Sequence, residues 1–395
     1  MEGVTDVSSI AGLHAATADL DPPLAALDLA ALRANAADLV RRAAGLPIRV
    51  ASKSVRCRAV LEEVLGSGLT ASGGFAGIMG YSLPEAIWLV RQGARDVLLG
   101  YPSVHRAALA ELGEDEVLRE SVTLMVDDTA QLDLIKTAVG ADRVRPRICL
   151  DADASLRIGP LHLGVRRSPI RTPDQAARLA RAALDRGFEV VGVMTYEAQI
   201  AGLPDTNPAV RLVKQLSAAE IATRRVQVLD AVRSVVGELR IVNSGGSGSI
   251  EVSVSSPGVT EVTSGSGLYV PTLFDGYRSF TPRPALYFAE PVLRRPARDI
   301  ATVFSGGYIA SGPAGKSRVP KPVWPRGLRL IGTEGAGEVQ TPLTGAGDLA
   351  IGDRVWFRHA KAGELFERFD SVQIVAPDGT RTTVPTYRGE GKNFG

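Results

Sequence analysis

Between residues 48 and 264 the chain alternates short apolar runs with longer stretches in which apolar residues recur at helical spacing. The short runs read as buried strands at 48–53, 75–79, 96–100, 122–126, 147–151, 189–194, 239–243 and 261–264. The periodic stretches predict helices over 84–92, 129–139, 173–186 and 213–236, and another over 27–44 that Gly45-Leu46-Pro47 stops. Strands that alternate with helices pair in parallel through right-handed crossovers. Eight such units match a closed (β/α)8 barrel of the TIM type, with an open doubly wound sheet as the alternative.

Beyond Pro282 the texture changes: prolines and glycines become frequent and the apolar runs shorten. Segments 304–311, 328–331, 337–341, 354–358 and 372–376 read as strands joined by turns. The expected fold class is therefore α/β, a barrel over residues 22–284 followed by a β-rich domain over 285–395, which residues 1–21 are expected to join. Of the 395 residues 45% are hydrophobic, ample for a packed core, and the formal net charge of +2 asks for neither nucleic acid nor an anionic membrane. Two cysteines, Cys57 and Cys149, read as reduced thiols in a cytoplasmic protein. No apolar run is long enough to span a bilayer.

Candidate chemistry starts at Lys53. It ends the first strand, and the C-terminal strand ends are where a barrel keeps its reacting groups. Its amine suits a Schiff base with an aldehyde cofactor. Late in the barrel, Gly245-Gly246-Ser247-Gly248 follows the seventh strand and Gly265-Ser266-Gly267-Leu268-Tyr269 the eighth. Glycines let backbone amides approach an anion, and barrels commonly bind phosphate after strands seven and eight. Tight turns are the plainer reading of either loop alone. Gly312-Pro313-Ala314-Gly315-Lys316-Ser317 has its glycines too close together for a nucleotide-binding loop and is set aside. A lysine facing a phosphate-anchored aldehyde is what pyridoxal 5'-phosphate chemistry requires.

On these segments the chain resembles the fold-type III pyridoxal phosphate enzymes, in particular the D-threonine aldolase and D-serine dehydratase group. The resemblance implies an alanine-racemase-like barrel, Lys53 as the cofactor lysine, and a phosphate site at Gly245, Gly246, Ser247, Gly248, Gly265, Ser266 and Tyr269. It implies a homodimer acting on a small amino-acid substrate. Tyr196 is similar to an aromatic residue at the sixth strand end, with Gln199 just beyond. Relatives carry an arginine before a Gly-Val pair that meets the cofactor's phenolic oxygen; here His162 stands at that spacing, with Arg167 as the next candidate. Gly352-Asp353-Arg354-Val355 and His359-Ala360-Lys361 resemble the family's metal segment, but its second ligand, Cys or Asp, is replaced by Lys361. An ammonium repels a divalent cation, which leaves His359 as the one matching ligand and no metal expected.

The resemblance favours a lyase on a β-hydroxy D-amino acid. Retro-aldol cleavage would take His359, titrating near neutral pH, as base. Dehydration would take Lys53 as base and Lys361 as the group assisting hydroxide departure. A racemase or epimerase stays open, as does a non-catalytic pyridoxal-phosphate-binding homeostasis protein. Relatives that racemise add a tyrosine from the partner's C-terminal domain, for which Tyr287, Tyr308 and Tyr387 are candidates.

Overall fold

A computed structural model describes residues 7–140, 146–281 and 283–394, so Pro282 and the first six residues lie outside it. The chain forms two compact units. One comprises Leu39–Lys53, Val60–Gly265 and Phe394; the other holds the described residues up to Asp38 together with Ser54–Ala59 and Ser266–Asn393.

The chain's first strand, β1 (Leu24–Asp28), belongs to the β-rich unit. The barrel unit begins with β2 (Ile48–Ala51). A short β3 (Ala71–Ser72) runs antiparallel to β4 (Phe75–Gly80). Then come β5 (Val97–Leu99), β6 (Val122–Val126) and β7 (Arg147–Ala152). A separate hairpin of β8 (Leu156–Ile158) and β9 (Leu161–Leu163) precedes β10 (Glu189–Thr195), β11 (Ile241–Ser244) and β12 (Glu261–Ser264). The order β2-β12-β11-β10-β7-β6-β5-β4 is parallel throughout, and β2 pairs with β4 to close the ring. This is the closed eight-stranded barrel, not the open sheet.

Local sequence sets the crossovers. Asp128 caps helix Thr129–Val139 in a reciprocal box with Gln131, and Thr172 does the same for helix Pro173–Asp185 with Gln175. The barrel interior is polar at one level. Arg49 on β2 forks onto Glu261, at 2.7 Å from both Nε and Nη2, and onto Asp96 at 2.9 and 3.0 Å. Gly77, at φ +72°, makes room for it, since a Cβ there would stand 2.5 Å from the guanidinium.

In the β-rich unit, β13 (Leu286–Ala297), β14 (Ile300–Phe304), β15 (Lys321–Trp324), β16 (Arg329–Leu330), β17 (Gln340–Thr344), β18 (Arg354–Arg358), β19 (Ser371–Val375) and β20 (Arg381–Pro385) form one sheet with β1. Its main path is β16-β17-β14-β13-β1-β19-β20, and β18 pairs with β13 and β15. Strand β1 lies inside this sheet, antiparallel to β13 and parallel to β19.

Two expectations are corrected. The helix expected over 27–44 starts at Leu29, because Asp28 caps it by accepting from the Ala31 amide at 2.9 Å while residues 24–28 pair as a strand. The strand expected over 304–311 ends at Phe304, because Ser305 (φ +59°) and Gly306 (φ +96°) leave the extended region. No helix among the described residues is long and apolar enough to cross a membrane.

Candidate functional site

Strand β2 passes at once into a single 3₁₀ turn, Ser52–Ser54, which presents Lys53 at the C-terminal mouth of the barrel. Ser52 pins that turn by donating to the Met79 carbonyl of β4 at 3.0 Å. Lys53 Nζ hydrogen-bonds the Tyr101 hydroxyl and lies 5.0 Å from that ring's centroid. The Arg167 guanidinium stands 5.4 Å from the ring centroids of both Tyr101 and Tyr196. Lys53, Tyr101, Arg167 and Tyr196 thus form one chain of contacts around the mouth. Burial pushes the Tyr196 phenol up to about 12, with Arg167 working the other way, so it stays neutral and can donate. Beside them Asp151, at the end of β7, is pushed up to about 7 by burial and then by Asp127, against the pull of Arg167.

The glycine loop after β11 reaches this cluster. A Cβ on Gly246 would stand 3.4 Å from the Tyr196 ring and 3.1 Å from Ala201 Cβ, so the glycine relieves a tight approach to Ala201 beside the tyrosine. Gly245 takes φ +88°, and a Cβ there would meet Ser253 Oγ at 2.6 Å. Ser247 Oγ and Ser264 Oγ are 2.7 Å apart, which ties this loop to the end of β12, where Gly265 follows. Arg42 donates to the Ser247 carbonyl at 2.8 Å and pairs with Glu251, holding the loop from outside. Gly248 completes the turn before helix Ile250–Val254.

Other expected residues are placed differently. Ser266 donates to Ser54 Oγ at 3.0 Å, and the buried Tyr269 hydroxyl donates to the Val55 carbonyl at 2.9 Å; both contacts lie within the β-rich unit. The phenol of Tyr269 is thereby engaged as a structural tie. His162 sits on the β8–β9 hairpin with Nε2 3.2 Å from the Val165 carbonyl, and Arg167 is the residue that reaches the lysine cluster. Gln199 is buried, and its amide donates to the Ala154 carbonyl at 2.7 Å. Tyr101 was not anticipated. The available signal was its place directly after Gly100 at the end of the third barrel strand, a mouth position equivalent to that of Lys53.

In the β-rich unit His359 follows β18 and is buried. Burial first, and Arg358 second, hold its ring down to about 3, with the Leu286 backbone acting in the opposite sense. The expectation of an imidazole titrating near neutral pH is therefore not met: a charged ring would have to be desolvated beside a guanidinium. Neither ring nitrogen makes a hydrogen bond of standard geometry among the described residues. Lys361 Nζ contacts Ser311 Oγ at 2.5 Å and Glu364 at 3.1 Å. A histidine and an ammonium do not suit a divalent cation, and among the described residues no three His, Cys, Asp or Glu gather into a metal-ligating group.

The barrel mouth does suit pyridoxal phosphate. Lys53 offers the amine for its aldehyde, loop 245–248 a glycine-rich cradle for its phosphate, and Arg167 a cation for its phenolic oxygen. Comparison with solved structures finds the same fold over nearly the whole chain. The D-threonine aldolase of Filomicrobium marinum shares 22% identity over 94% of this chain and 96% of its own, with a TM-score of 0.76. The D-threo-3-hydroxyaspartate dehydratase of Delftia sp. HT23 shares 21% over 93% and 97%, with a TM-score of 0.73. An alanine racemase of Clostridium difficile shares 14% over 93% and 99%, with a TM-score of 0.61. No curated protein matches the sequence. The family described as alanine racemase, N-terminal domain, matches residues 27–272, well over half of the chain, and the chain belongs to that family.

Proposed function

We propose that the protein is a pyridoxal-phosphate-dependent lyase acting on a β-hydroxy D-amino acid, working as a homodimer. The observation that carries this is Lys53, whose amine stands at the mouth of the same barrel as the glycine cradle and is joined to it through Tyr101, Arg167, Tyr196 and Gly246. Pyridoxal phosphate, when bound, supplies an electron sink that weakens the bonds at the substrate's Cα. Lys53 would hold its aldehyde, loop 245–248 and Gly265 its phosphate, and Arg167 its ring oxygen. Lys53 Nζ donates a hydrogen bond to Tyr101 Oη, which holds the amine in place at the mouth. Tyr196, neutral, stands beside Gly246 of the loop.

The lyase reading is supported by likeness to an aldolase and a dehydratase, both named for β-hydroxy D-amino acids, at higher TM-scores than the racemase. Between the two reactions, the low basicity of His359 speaks for elimination over a retro-aldol step driven by imidazole. Lys361, an ammonium braced by Glu364, is the proposed aid to hydroxide departure. The racemase reading is weakened by Tyr287 and Tyr387, both buried to 1% exposure or less, which leaves Tyr308 as the candidate second base.

The deciding experiment loads the purified protein with pyridoxal phosphate and supplies D- and L-serine, D- and L-threonine and D-threo-3-hydroxyaspartate. A keto acid plus ammonia supports the dehydratase, and glycine plus an aldehyde the aldolase. The opposite enantiomer alone means a racemase. Cofactor capture with no turnover of any substrate means a binding protein. Light scattering of the loaded protein tests the dimer.

A further inference from the structure

Behind the glycine loop lies a polar cluster to which no role has been assigned. Its centre is Glu197, fully buried at the end of β10. Its carboxylate accepts from Ser253 Oγ at 2.6 Å, Ser244 Oγ at 3.1 Å and Ser249 Oγ at 3.2 Å. Arg225, 1% exposed, stands 3.7 Å away and donates to Thr195 Oγ1 at 2.9 Å and Ser244 Oγ at 2.8 Å.

Each serine hydroxyl carries one proton, and a carboxylate only accepts. For all three serines Glu197 is the nearest acceptor: the alternatives are Ser253 Oγ at 3.4 Å for Ser244, the Gly246 carbonyl at 3.4 Å for Ser249, and the Ser249 carbonyl at 3.2 Å for Ser253. The charge on Glu197 therefore turns all three protons inward and leaves the oxygen lone pairs facing outward. Ser249 Oγ uses its lone pair to accept the Gly246 amide at 3.1 Å, and Ser244 Oγ accepts from Arg225. The peptide plane entering Gly246 is thus oriented by a carboxylate two hydrogen bonds removed, at the residue where a Cβ would come within 3.4 Å of the Tyr196 ring. Arg225 balances the charge, so the cluster brings no net negative charge under an anion-binding loop.

We infer that Glu197 is a positioning residue that, through Ser249, fixes loop 245–248 in the form that receives the phosphate of the cofactor. This rests on the pyridoxal phosphate reading above. An amide at this position keeps its carbonyl oxygen toward the donors Arg225 and Ser244 and presents its N–H groups to Ser249 and Ser253, so Ser249 loses its acceptor, turns its proton to the Gly246 carbonyl and loosens its hold on the Gly246 amide.

The test compares capture of pyridoxal phosphate and of pyridoxal, which lacks the phosphate, by wild-type protein, Glu197→Gln and Ser249→Ala. Affinities come from absorbance titration, with circular dichroism and thermal melts to verify the fold. The expected result is that both variants bind pyridoxal phosphate about tenfold or more weakly and pyridoxal within about twofold of wild type. Equal losses for both ligands, or no loss for either, overturn the inference while leaving the cofactor reading intact. If Glu197→Gln does not fold, Ser249→Ala decides alone. Wild-type protein that captures neither aldehyde overturns the cofactor reading and the inference with it.

Discussion

Lys53 is the residue on which the proposed site turns, and its neighbour Tyr101 is the one that accepts its hydrogen bond. Lys53→Ala is expected to remove the visible absorption of the loaded protein and the cofactor that borohydride fixes to the chain; survival of either would exclude Lys53 as the anchor. Tyr101→Phe, which removes the acceptor that holds the Lys53 amine, should keep the bound cofactor and lower kcat by about tenfold; an unchanged kcat would make the phenol mere packing. Asp151 offers a test through pH. Its folded value of about 7 lies above the ordinary carboxylate range, so it contributes stability fully only below that range and loses it as pH rises through 7. Asp151→Asn should therefore melt roughly 3 °C or more above wild type at pH 8, with the difference shrinking toward pH 4, by scanning fluorimetry. The places of Lys53 and of the glycine loop at strand ends were legible in the sequence because strand-end position and glycine content are local properties. The contacts of Tyr101, Arg167 and Glu197 were hidden, because their partners meet them only when the barrel closes. His162 kept the family spacing, but the β8–β9 hairpin binds its ring to Val165.

Elements were read best where both ends carry their own signal. Helix Thr129–Val139 and strands Val122–Val126 and Glu261–Ser264 fall where the pattern put them, the helix between its Asp128 cap and Gly140. Helices Arg106–Glu114 and Glu116–Ser121 were missed, since Asp115 ends the first and caps the second within one acidic stretch. Strand β10 shows what periodicity omits. Its register with β7 shifts between Val190 and Gly192, and a Cβ on Gly192 would stand 2.5 Å from the Ile241 carbonyl of β11. Gly192→Val should destabilise the barrel by about 1–3 kcal/mol in urea unfolding. A smaller loss would show that β11 can move aside.

At the scale of the whole molecule, the barrel followed by a β-rich region was readable from the change in texture, whereas the place of β1 was not, since its partners lie hundreds of residues away. The donor chemistry at His359 and Lys361 carries a prediction for the purified protein. Zinc and manganese should be far below one per chain by mass spectrometry, and EDTA should leave turnover unchanged; stoichiometric, tightly held metal would reverse this. The position of β1 bears on synthesis. Leu24 pairs with Ala289 and Ala25 with Val372, so this apolar strand leaves the ribosome long before either neighbour exists. Until then both of its edges are open to other chains. A nascent or C-terminally truncated product therefore carries an adhesive segment at its front, and a fragment meant to isolate the barrel is best begun after Asp28.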